Sequence, residues 1–294
     1  MKKRIITGLC MGIVIAPLLY LGGWFTFGLL VVLSYLATME LIKMHAAKQM
    51  LSRKYEFILP LISVLLVTTA FLVTQNLLTF NIGDVIFALV VVFMLMMIVP
   101  LFNKELKSTD MLVFFGCIVY GGLGIFMAFR ARFIGGNISE IPFVDQGLVL
   151  MAFVLVSTMF TDMGAYNFGL LFGKHKLCPS ISPKKTIEGA IGGSFTGAIF
   201  GTAVIVICEQ VFNFTLLEIN NNILNGLALF GISLLLTVIA QLGDLVASKL
   251  KREYEIKDYG FIFPGHGGVM DRFDSLIFTG GTFYLILAII GVVL

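Results

Sequence analysis

Charged residues are scarce in this sequence. Only 13% of the 294 residues are Asp, Glu, Lys or Arg, whereas about 25% is usual in a soluble domain. Hydrophobic residues make up 59% of the chain, and the mean hydropathy is +1.01. A single core cannot hide so much apolar surface, because a soluble protein also needs a polar exterior. The composition therefore excludes a soluble globular protein and indicates a chain surrounded by lipid.

Several familiar binding motifs are also absent. The four cysteines (Cys10, Cys117, Cys178 and Cys208) include no Cys-x-x-Cys unit, so we expect neither a disulfide nor a zinc site. The net charge of +3 comes from scattered Lys and Arg, which argues against a nucleic-acid partner. Neither a Walker G-x-x-x-x-G-K-[ST] loop nor a Rossmann G-x-G-x-x-G after a strand occurs, so the two common soluble nucleotide-binding folds are excluded.

Long apolar segments recur along the chain. A helix needs about 20 apolar residues to cross the hydrocarbon layer of a bilayer. Nine segments are candidates: Ile5–Leu21, Trp24–Ile42, Phe57–Val73, Val85–Phe102, Met111–Phe129, Leu148–Leu171, Ile187–Val211, Ile223–Ala247 and Phe273–Leu294. The sequence therefore predicts an all-α, polytopic integral membrane protein with about nine transmembrane helices.

The basic residues predict how these helices are oriented. With the N-terminus in the cytoplasm, 18 of the 20 Lys and Arg residues fall on the cytoplasmic side, and only Arg130 and Arg132 fall outside. This asymmetry is what the positive-inside rule requires. It depends on an odd number of spans, which places the C-terminal Leu294 outside.

We expect one membrane domain, residues 1–294, because no linker interrupts the chain. Residues 1–140 carry few polar motifs. Residues 141–294 form the expected catalytic half, with two polar cytoplasmic loops at 173–186 and 249–272. Chemistry is therefore expected at the cytoplasmic face, within reach of soluble nucleotides and lipid head groups.

The eighth predicted helix carries polar residues on one face. Asp244, Ser248 and Lys251 are spaced i, i+4 and i+7, which aligns them on a helix. An unpaired Asp at membrane depth is costly, so Asp244 needs a metal ion or a cationic partner. The simpler alternative is a salt bridge at the helix end with Lys249 or Lys251.

A glycine-rich run follows this helix. Pro264–Gly268 lets the backbone approach a ligand closely and offer N–H groups to an anion. Asp271, Asp274 and Ser275 then stand at i, i+3 and i+4 at the start of the last helix. Each Asp is a candidate ligand, and the alternative is that Asp271 or Asp274 only caps that helix.

A second polar group surrounds the loop at residues 173–186. Lys184 and Lys185 are expected to contact phosphate, or else to be two more topological anchors, and Ser182-Pro183 predicts a helix start. Asp162 lies inside the sixth span, either beside the metal or substrate or in a structural network.

The three histidines receive different expectations. His266 is expected to contact nucleotide phosphate rather than to act as a general acid or base. His45 and His175 are interpreted as loop residues without a role.

These groups suit a phosphorylated nucleotide: carboxylates for Mg²⁺, cations for phosphate oxygens, and a flexible loop. The C-terminal part also resembles a known family, the phosphatidate cytidylyltransferases or CDP-diacylglycerol synthases. The resemblance rests on Ser248-x-Leu250-Lys251-Arg252, Lys257-Asp258-x-Gly260 and Phe263-Pro264-x-His266-Gly267-Gly268-Val269-x-Asp271-Arg272-Phe273-Asp274. Two further similar blocks are Asp162-x-x-Ala165-Tyr166-x-x-Gly169 and Ser182-Pro183-Lys184-Lys185-Thr186-x-Glu188-Gly189. The first 140 residues resemble the family only in being apolar and multi-spanning.

The resemblance implies the reaction of CTP with phosphatidate, giving CDP-diacylglycerol and pyrophosphate, with Mg²⁺ as cofactor. The candidate catalytic residues are Asp244, Asp271, Lys251, Lys184 and His266. Asp244 ends one predicted helix and Asp271 begins the next, so we expect the two carboxylates to hold the metal together. The implied substrate-binding residues are Ser182, Lys185, Ser248, Arg252, Lys257, Gly267, Gly268, Arg272 and Asp162. The nucleophile is an ionised lipid phosphate, so catalysis consists of positioning and charge neutralisation.

The expected location is a bacterial cytoplasmic membrane, where phosphatidate enters from the bilayer and CTP from the cytoplasm. The sequence does not decide whether the protein forms a homo-oligomer. Two alternatives also remain: a cytidylyltransferase for another lipid phosphate, and an ion-coupled transporter that uses Asp162 and Asp244.

Overall fold

The structure, a computed structural model, describes residues 2–79, 82–135, 144–212, 214–217 and 219–291, and the side chains of all of these except residues 2–6 and 82. The chain forms two compact units. The first unit comprises Met1–Leu18, Gly23–Phe126 and Tyr254–Arg272. The second comprises Leu19–Gly22, Met127–Glu253 and Phe273–Leu294. The predicted boundary at residues 140 and 141 and the predicted end at Leu294 lie outside the described residues.

The described part of the chain is almost entirely helical. Its α-helices are α1 (Lys2–Leu21), α2 (Gly23–Gln49), α3 (Lys54–Ile58), α4 (Pro60–Thr74), α5 (Ile82–Phe102), α6 (Ser108–Cys117), α7 (Gly124–Ala128), α8 (Gln146–Phe172), α9 (Ile187–Phe212), α10 (Asn222–Glu253) and α11 (Met270–Ile289). A π-helical segment, Ile118–Leu123, joins α6 to α7, and a 3₁₀ turn, Arg130–Phe133, follows α7. Two short strands, β1 (Lys176–Cys178) and β2 (Ser182–Thr186), pair antiparallel.

Eight helical segments among the described residues are long and apolar enough to cross a membrane. They are α2, α3 with α4, α5, α6 through α7, and each of α8 to α11. The expectation of an all-α polytopic membrane protein is therefore confirmed. Helix α1 contains a shorter apolar stretch, Thr7–Leu21, so the count of nine spans and their orientation stay predictions.

In the first unit, α2 packs closely against α4 and the π-helical segment because small residues lie at the contact. A Cβ atom on Gly121 would lie 2.9 Å from the backbone of Thr38, and one on Gly122 would lie 2.5 Å from the Ser63 side chain. Helices in lipid gain little from the hydrophobic effect on pairing, so they rely on close approach of this kind.

His45 corrects one expectation. It lies in α2 rather than in a loop, and it is only 5% exposed. Its Nε2 lies 2.9 Å from Asp110 Oδ1, and its Nδ1 lies 2.9 Å from the hydroxyl of Tyr254. The backbone N–H of Lys107 donates to the other Asp110 oxygen at 2.8 Å. The ring therefore links α2 to α6 and to the residue that follows α10.

In the second unit, α9 packs along α8 through glycines spaced four residues apart: Gly189, Gly193, Gly197 and Gly201. A Cβ atom on Gly193 would lie 2.7 Å from Thr161 O, and one on Gly197 would lie 2.6 Å from Ser157 O. These four positions form one face of α9, and any side chain there would push α8 away.

Arg132 and Arg130, the two basic residues predicted on the outer side, have partners within the second unit. Arg132 is 3% exposed; its Nη1 donates to both oxygens of Asp145, at 2.7 and 2.8 Å, and its Nε donates to Leu19 O at 2.6 Å. The guanidinium of Arg130 lies 4.7 Å from the ring centroid of Tyr284. These contacts lower the cost of placing Arg132 and Arg130 within this unit.

The glycine face of α9 generates a stability prediction. Gly197→Ala places a methyl group against Ser157 O, at 2.6 Å, and against Thr237. We expect it to lower the free energy of unfolding by about 1–3 kcal/mol through overpacking. Gly231→Ala in α10 is the matched control, because a Cβ atom there meets nothing within 4 Å. Thermal unfolding in detergent checks both; equal unfolding temperatures for the two variants would contradict the account.

Candidate active site

A cavity of about 460 Å³ lies in the second unit, lined by α8, the β1–β2 hairpin, α9 and α10. Predicted site residues from three separate segments meet on its wall: Asp162 of α8, Lys184 and Lys185 of the hairpin, and Asp244 of α10. The ammonium of Lys185 lies 2.5 Å from Asp244 Oδ2. Lys185 therefore provides a cation of the kind that Asp244 needs at this depth.

The hairpin that carries the two lysines corrects the prediction of a helix start at Ser182-Pro183. Ser182–Thr186 is strand β2, and α9 begins at Ile187. Thr186 supplies the helix cap, since its hydroxyl accepts a hydrogen bond from the N–H of Gly189 at 3.1 Å. Glu188 in the first turn of α9 accepts N–H groups of Lys174 at 3.0 Å and His175 at 3.2 Å, which fixes the approach to the hairpin.

The predicted polar face of α10 is confirmed for its first two members. The Ser248 hydroxyl donates to Asp244 Oδ1 at 3.3 Å. Nearby, the amide of Gln241 donates to Ser194 Oγ at 2.8 Å and so ties α10 to α9 beside the cavity. Arg252, a predicted substrate contact, donates from Nε to Ile181 O at 3.3 Å. Its guanidinium thus holds the turn of the hairpin that presents Lys184 and Lys185.

Asp274 is not the cap of the last helix. It is the fifth residue of α11, one turn too far along to serve as the N-cap, and it is 7% exposed. Asp244, Asp162 and Lys251 lie close enough to act on it electrostatically. The capping alternative for Asp274 is therefore wrong, and its carboxyl belongs with the acidic groups of the second unit.

A second cavity, of about 580 Å³, lies in the first unit beside the glycine-rich loop, which we define as residues 254–269. Lys257, His266 and Arg272 bring basic side chains to its wall. Gly265 and Gly267 have φ angles of +79° and +89°, which a residue with a side chain rarely adopts. The His266 Nδ1 atom is buried and has no hydrogen-bond partner within the described residues.

Several backbone N–H groups of this loop donate hydrogen bonds to acceptors within the protein. The Gly267 N–H donates to Phe263 O at 3.1 Å, and the Gly268 N–H donates to Asp271 Oδ2 at 2.9 Å. The same Asp271 oxygen accepts the N–H of Tyr259 at 2.8 Å. Glycine therefore shapes the turn, and the basic side chains are the groups that face the cavity.

The acidic residues of the second unit fit a divalent cation of the Mg²⁺ type. Among the described residues, no group of three or more His, Cys, Asp or Glu is arranged to enclose a metal. Mg²⁺ does not need such a cage, because it binds through one or two carboxylates and takes its other ligands from water and substrate phosphates. Asp244 suits this role, being about a third exposed and on the cavity wall. Asp271 belongs to the first unit, and joint binding by Asp244 and Asp271 stays a prediction.

Sequence reasoning missed Glu40 and Gln241. Glu40 carries a usable signal: it is the single acidic residue of α2, and an ionisable group inside a membrane helix is rarely without a role. The only sequence signal for Gln241 is its position one helical turn before Asp244, which places both side chains on the same face of the helix.

Comparison with known proteins agrees with this chemistry. A model of the cytidylyltransferase family matches residues 2–290. The chain belongs to this family. It is 33% identical over 290 residues to a Bacillus subtilis protein named phosphatidate cytidylyltransferase, covering 98% of each chain. A Staphylococcus haemolyticus protein of the same name is 32% identical over 279 residues, covering 95% of this chain and 96% of the relative.

Proteins of that name from Staphylococcus aureus are 40% identical over 162 residues. This match includes 55% of the chain and spans about half, 53%, of the length of those relatives. The family match over residues 2–290 confirms the resemblance recognised in the sequence and extends it to the N-terminal helices.

For a cytidylyltransferase, the pairing of Lys185 with Asp244 predicts a kinetic effect. We expect Lys185→Ala to lower kcat/KM for CTP about 10–100-fold, as removal of a charge-assisted contact worth ~1.5–3 kcal/mol would do. Lys249→Ala is the control, because Lys249 forms an exposed pair with Glu253 on α10, and such pairs contribute little. Steady-state kinetics with CTP varied checks both variants, and equal values for Lys185→Ala and Lys249→Ala would contradict the assignment.

Proposed function

We propose that this chain transfers the CMP moiety of CTP to phosphatidate, producing CDP-diacylglycerol and pyrophosphate for phospholipid synthesis. The observation that carries the proposal is the cavity of the second unit, where Lys185 faces Asp244 and Lys184 and Asp162 share the wall, in a chain of the cytidylyltransferase family. The two relatives matched over nearly their whole length are named phosphatidate cytidylyltransferases, which supports phosphatidate as the acceptor.

The proposed reaction is a substitution at the α-phosphorus of CTP. An oxygen of the lipid phosphate forms the new P–O bond, and the bond to the β-phosphate breaks and releases pyrophosphate with its electron pair. Because the phosphate is already ionised near neutral pH, no general base is required. The protein therefore has to bring two anions together and neutralise the charge that develops.

The basic residues suit that task. Lys184 and Lys185 on the hairpin, with Lys251 on α10, provide cations in the second unit, where Ser182 and Ser248 add hydroxyl groups. Lys257, His266 and Arg272 provide another set in the first unit. Charge-assisted contacts to phosphate are stronger than neutral ones. His266 serves as a phosphate contact, since departing pyrophosphate needs no proton when cations stabilise it.

We propose Mg²⁺ as the cofactor, with Asp244 as a ligand and Asp271 as the second ligand. When bound, the ion would offset phosphate charge and orient the triphosphate. The ion pair of Asp244 with Lys185 supports this role, because the carboxylate already binds a cation at the cavity wall.

The proposed setting is the cytoplasmic membrane, with the reaction on its cytoplasmic side. The predicted distribution of basic residues, with 18 on the cytoplasmic side and two on the outer side, supports this orientation. CTP then arrives from the cytoplasm, and phosphatidate arrives from the bilayer.

The activity is tested with purified protein in mixed micelles, supplied with Mg²⁺, CTP and a panel of lipid phosphates. Formation of CDP-diacylglycerol and pyrophosphate in equal amounts from phosphatidate is the expected result. If transfer to a different lipid phosphate is faster, that lipid and not phosphatidate is the acceptor. Absence of pyrophosphate release with every acceptor would overturn the proposal.

The carboxylates generate the next prediction. Asp244→Asn and Asp271→Asn keep the side-chain shape but remove a charge, so we expect turnover to fall at least about 100-fold. Asp274→Asn is expected to lose at least about tenfold, because its carboxyl lies among the acidic groups and does not cap the helix.

Asp84→Asn is the matched control, an exposed Asp in the first turn of α5 that lines neither cavity. The measurement is the Mg²⁺ dependence of pyrophosphate release for all four variants. Substantial activity of both Asp244→Asn and Asp271→Asn at ordinary Mg²⁺ concentrations would rule out the proposed metal ligands.

A further inference from the structure

Glu40, in the N-terminal part of the chain, contacts the glycine-rich loop directly. It lies on α2, is only 2% exposed, and accepts hydrogen bonds from two consecutive backbone groups. Its Oε1 accepts the N–H of Val269 at 3.0 Å, and its Oε2 accepts the N–H of Met270 at 3.0 Å. These two N–H groups belong to the start of α11 and have no acceptor within that helix. Glu40 therefore caps α11 from another helix.

The loop is shaped to admit this carboxyl group. A Cβ atom on Gly260 would lie 2.7 Å from Cδ of Glu40, and one on Gly268 would lie 2.5 Å from the same atom. Glycine at both positions leaves the space in which the Glu40 carboxyl sits. Two separate parts of the loop thus pack around one side chain.

A second carboxylate completes the arrangement. Asp271 Oδ2 accepts the N–H groups of Tyr259 and Gly268, at 2.8 and 2.9 Å. Glu40 and Asp271 together bind four backbone N–H groups of the loop and the start of α11. Two acidic groups near one another, one of them buried, are unfavourable unless each is well hydrogen-bonded, and here each accepts two backbone N–H groups.

We infer that Glu40 is a positioning residue for nucleotide binding. By fixing Gly260, Gly268 and the start of α11, it sets the directions in which His266 and Arg272 meet the CTP phosphates. It touches no substrate and acts through the loop. The inference rests on the proposed function for the identity of the nucleotide, but the contact between Glu40 and the loop can be tested without turnover.

The first test is hydrogen exchange of the purified full-length protein, measured by mass spectrometry without substrates. Glu40→Gln keeps one acceptor and loses the charge, and Glu40→Ala loses both acceptors. We expect peptides that cover residues 259–270 to exchange faster in both variants, and more so in Glu40→Ala. Unchanged exchange in that segment for Glu40→Ala would overturn the inference.

The second test separates positioning from a general loss of folding. We expect the Kd for CTP with Mg²⁺ to rise about tenfold or more in Glu40→Gln, with the KM for phosphatidate unchanged. A purely structural defect would lower the amount of active protein and leave the Kd for CTP of the remaining protein unaltered. That second pattern would contradict the inference.

The matched control is Glu209→Gln. Glu209 is also buried in a membrane helix, is 9% exposed, and accepts the N–H of Leu216 at 2.8 Å, but it lies in the second unit on α9. The substitution Glu209→Gln makes the same chemical change in a different unit from the loop. Hydrogen exchange at residues 259–270 and the Kd for CTP should therefore both stay at the wild-type values. Equal effects of Glu209→Gln and Glu40→Gln would overturn the specific role of Glu40.

Failure of this inference is distinguishable from failure of the proposed function. If the wild-type protein binds CTP but transfers nothing to phosphatidate, the acceptor is wrong, and the exchange and Kd measurements still decide the role of Glu40. If the wild-type protein binds no CTP, both the proposed function and the nucleotide role of Glu40 fall.

Discussion

The cost of placing carboxylates inside an apolar protein governs much of this structure. A charged group removed from water needs donors or a cation of its own. Glu40 has two backbone N–H groups, Asp110 has His45, Asp145 has Arg132, and Asp244 has Lys185. Each of these pairs joins segments that are separate in sequence. The acidic residues therefore determine which helices, loops and strands must meet.

The same requirement explains why the candidate site suits anionic substrates. A cavity that already balances a carboxylate with lysine contains both charges that phosphate chemistry uses: cations for the phosphate oxygens and an acidic group for a metal ion. The hairpin that carries Lys184 and Lys185 is held by Arg252 at its turn and by Glu188 near its start. These contacts limit the motion of the lysines, and fixed charges stabilise a transition state better than mobile ones.

Some of this structure could be predicted from the sequence, because the signals were local. Hydropathy predicts the membrane helices, and the spacing of Asp244 and Ser248 predicts their common face, which their hydrogen bond confirms. The glycines of α9 recur every four residues, and this spacing indicates close packing against another helix, which the glycine content alone does not.

Other features depend on contacts between distant segments. Lys185, which pairs with Asp244, is 59 residues away, and local spacing indicates only the lysines on the same helix as an alternative to a metal ion or another cation. The basic residues around His45 favour a loop, but Asp110 and Tyr254 hold its ring inside the protein. The β1–β2 hairpin escaped prediction because a five-residue polar strand between long apolar helices resembles a loop.

The central claim is that an oxygen of phosphatidate attacks the α-phosphorus of CTP on this protein. Phosphatidate labelled with ¹⁸O at the non-ester oxygens of its phosphate group tests it directly, with mass spectrometry of both products. The account predicts that all of the label remains in CDP-diacylglycerol and that pyrophosphate carries none. Label in the released inorganic product, or unlabelled CDP-diacylglycerol, would contradict it.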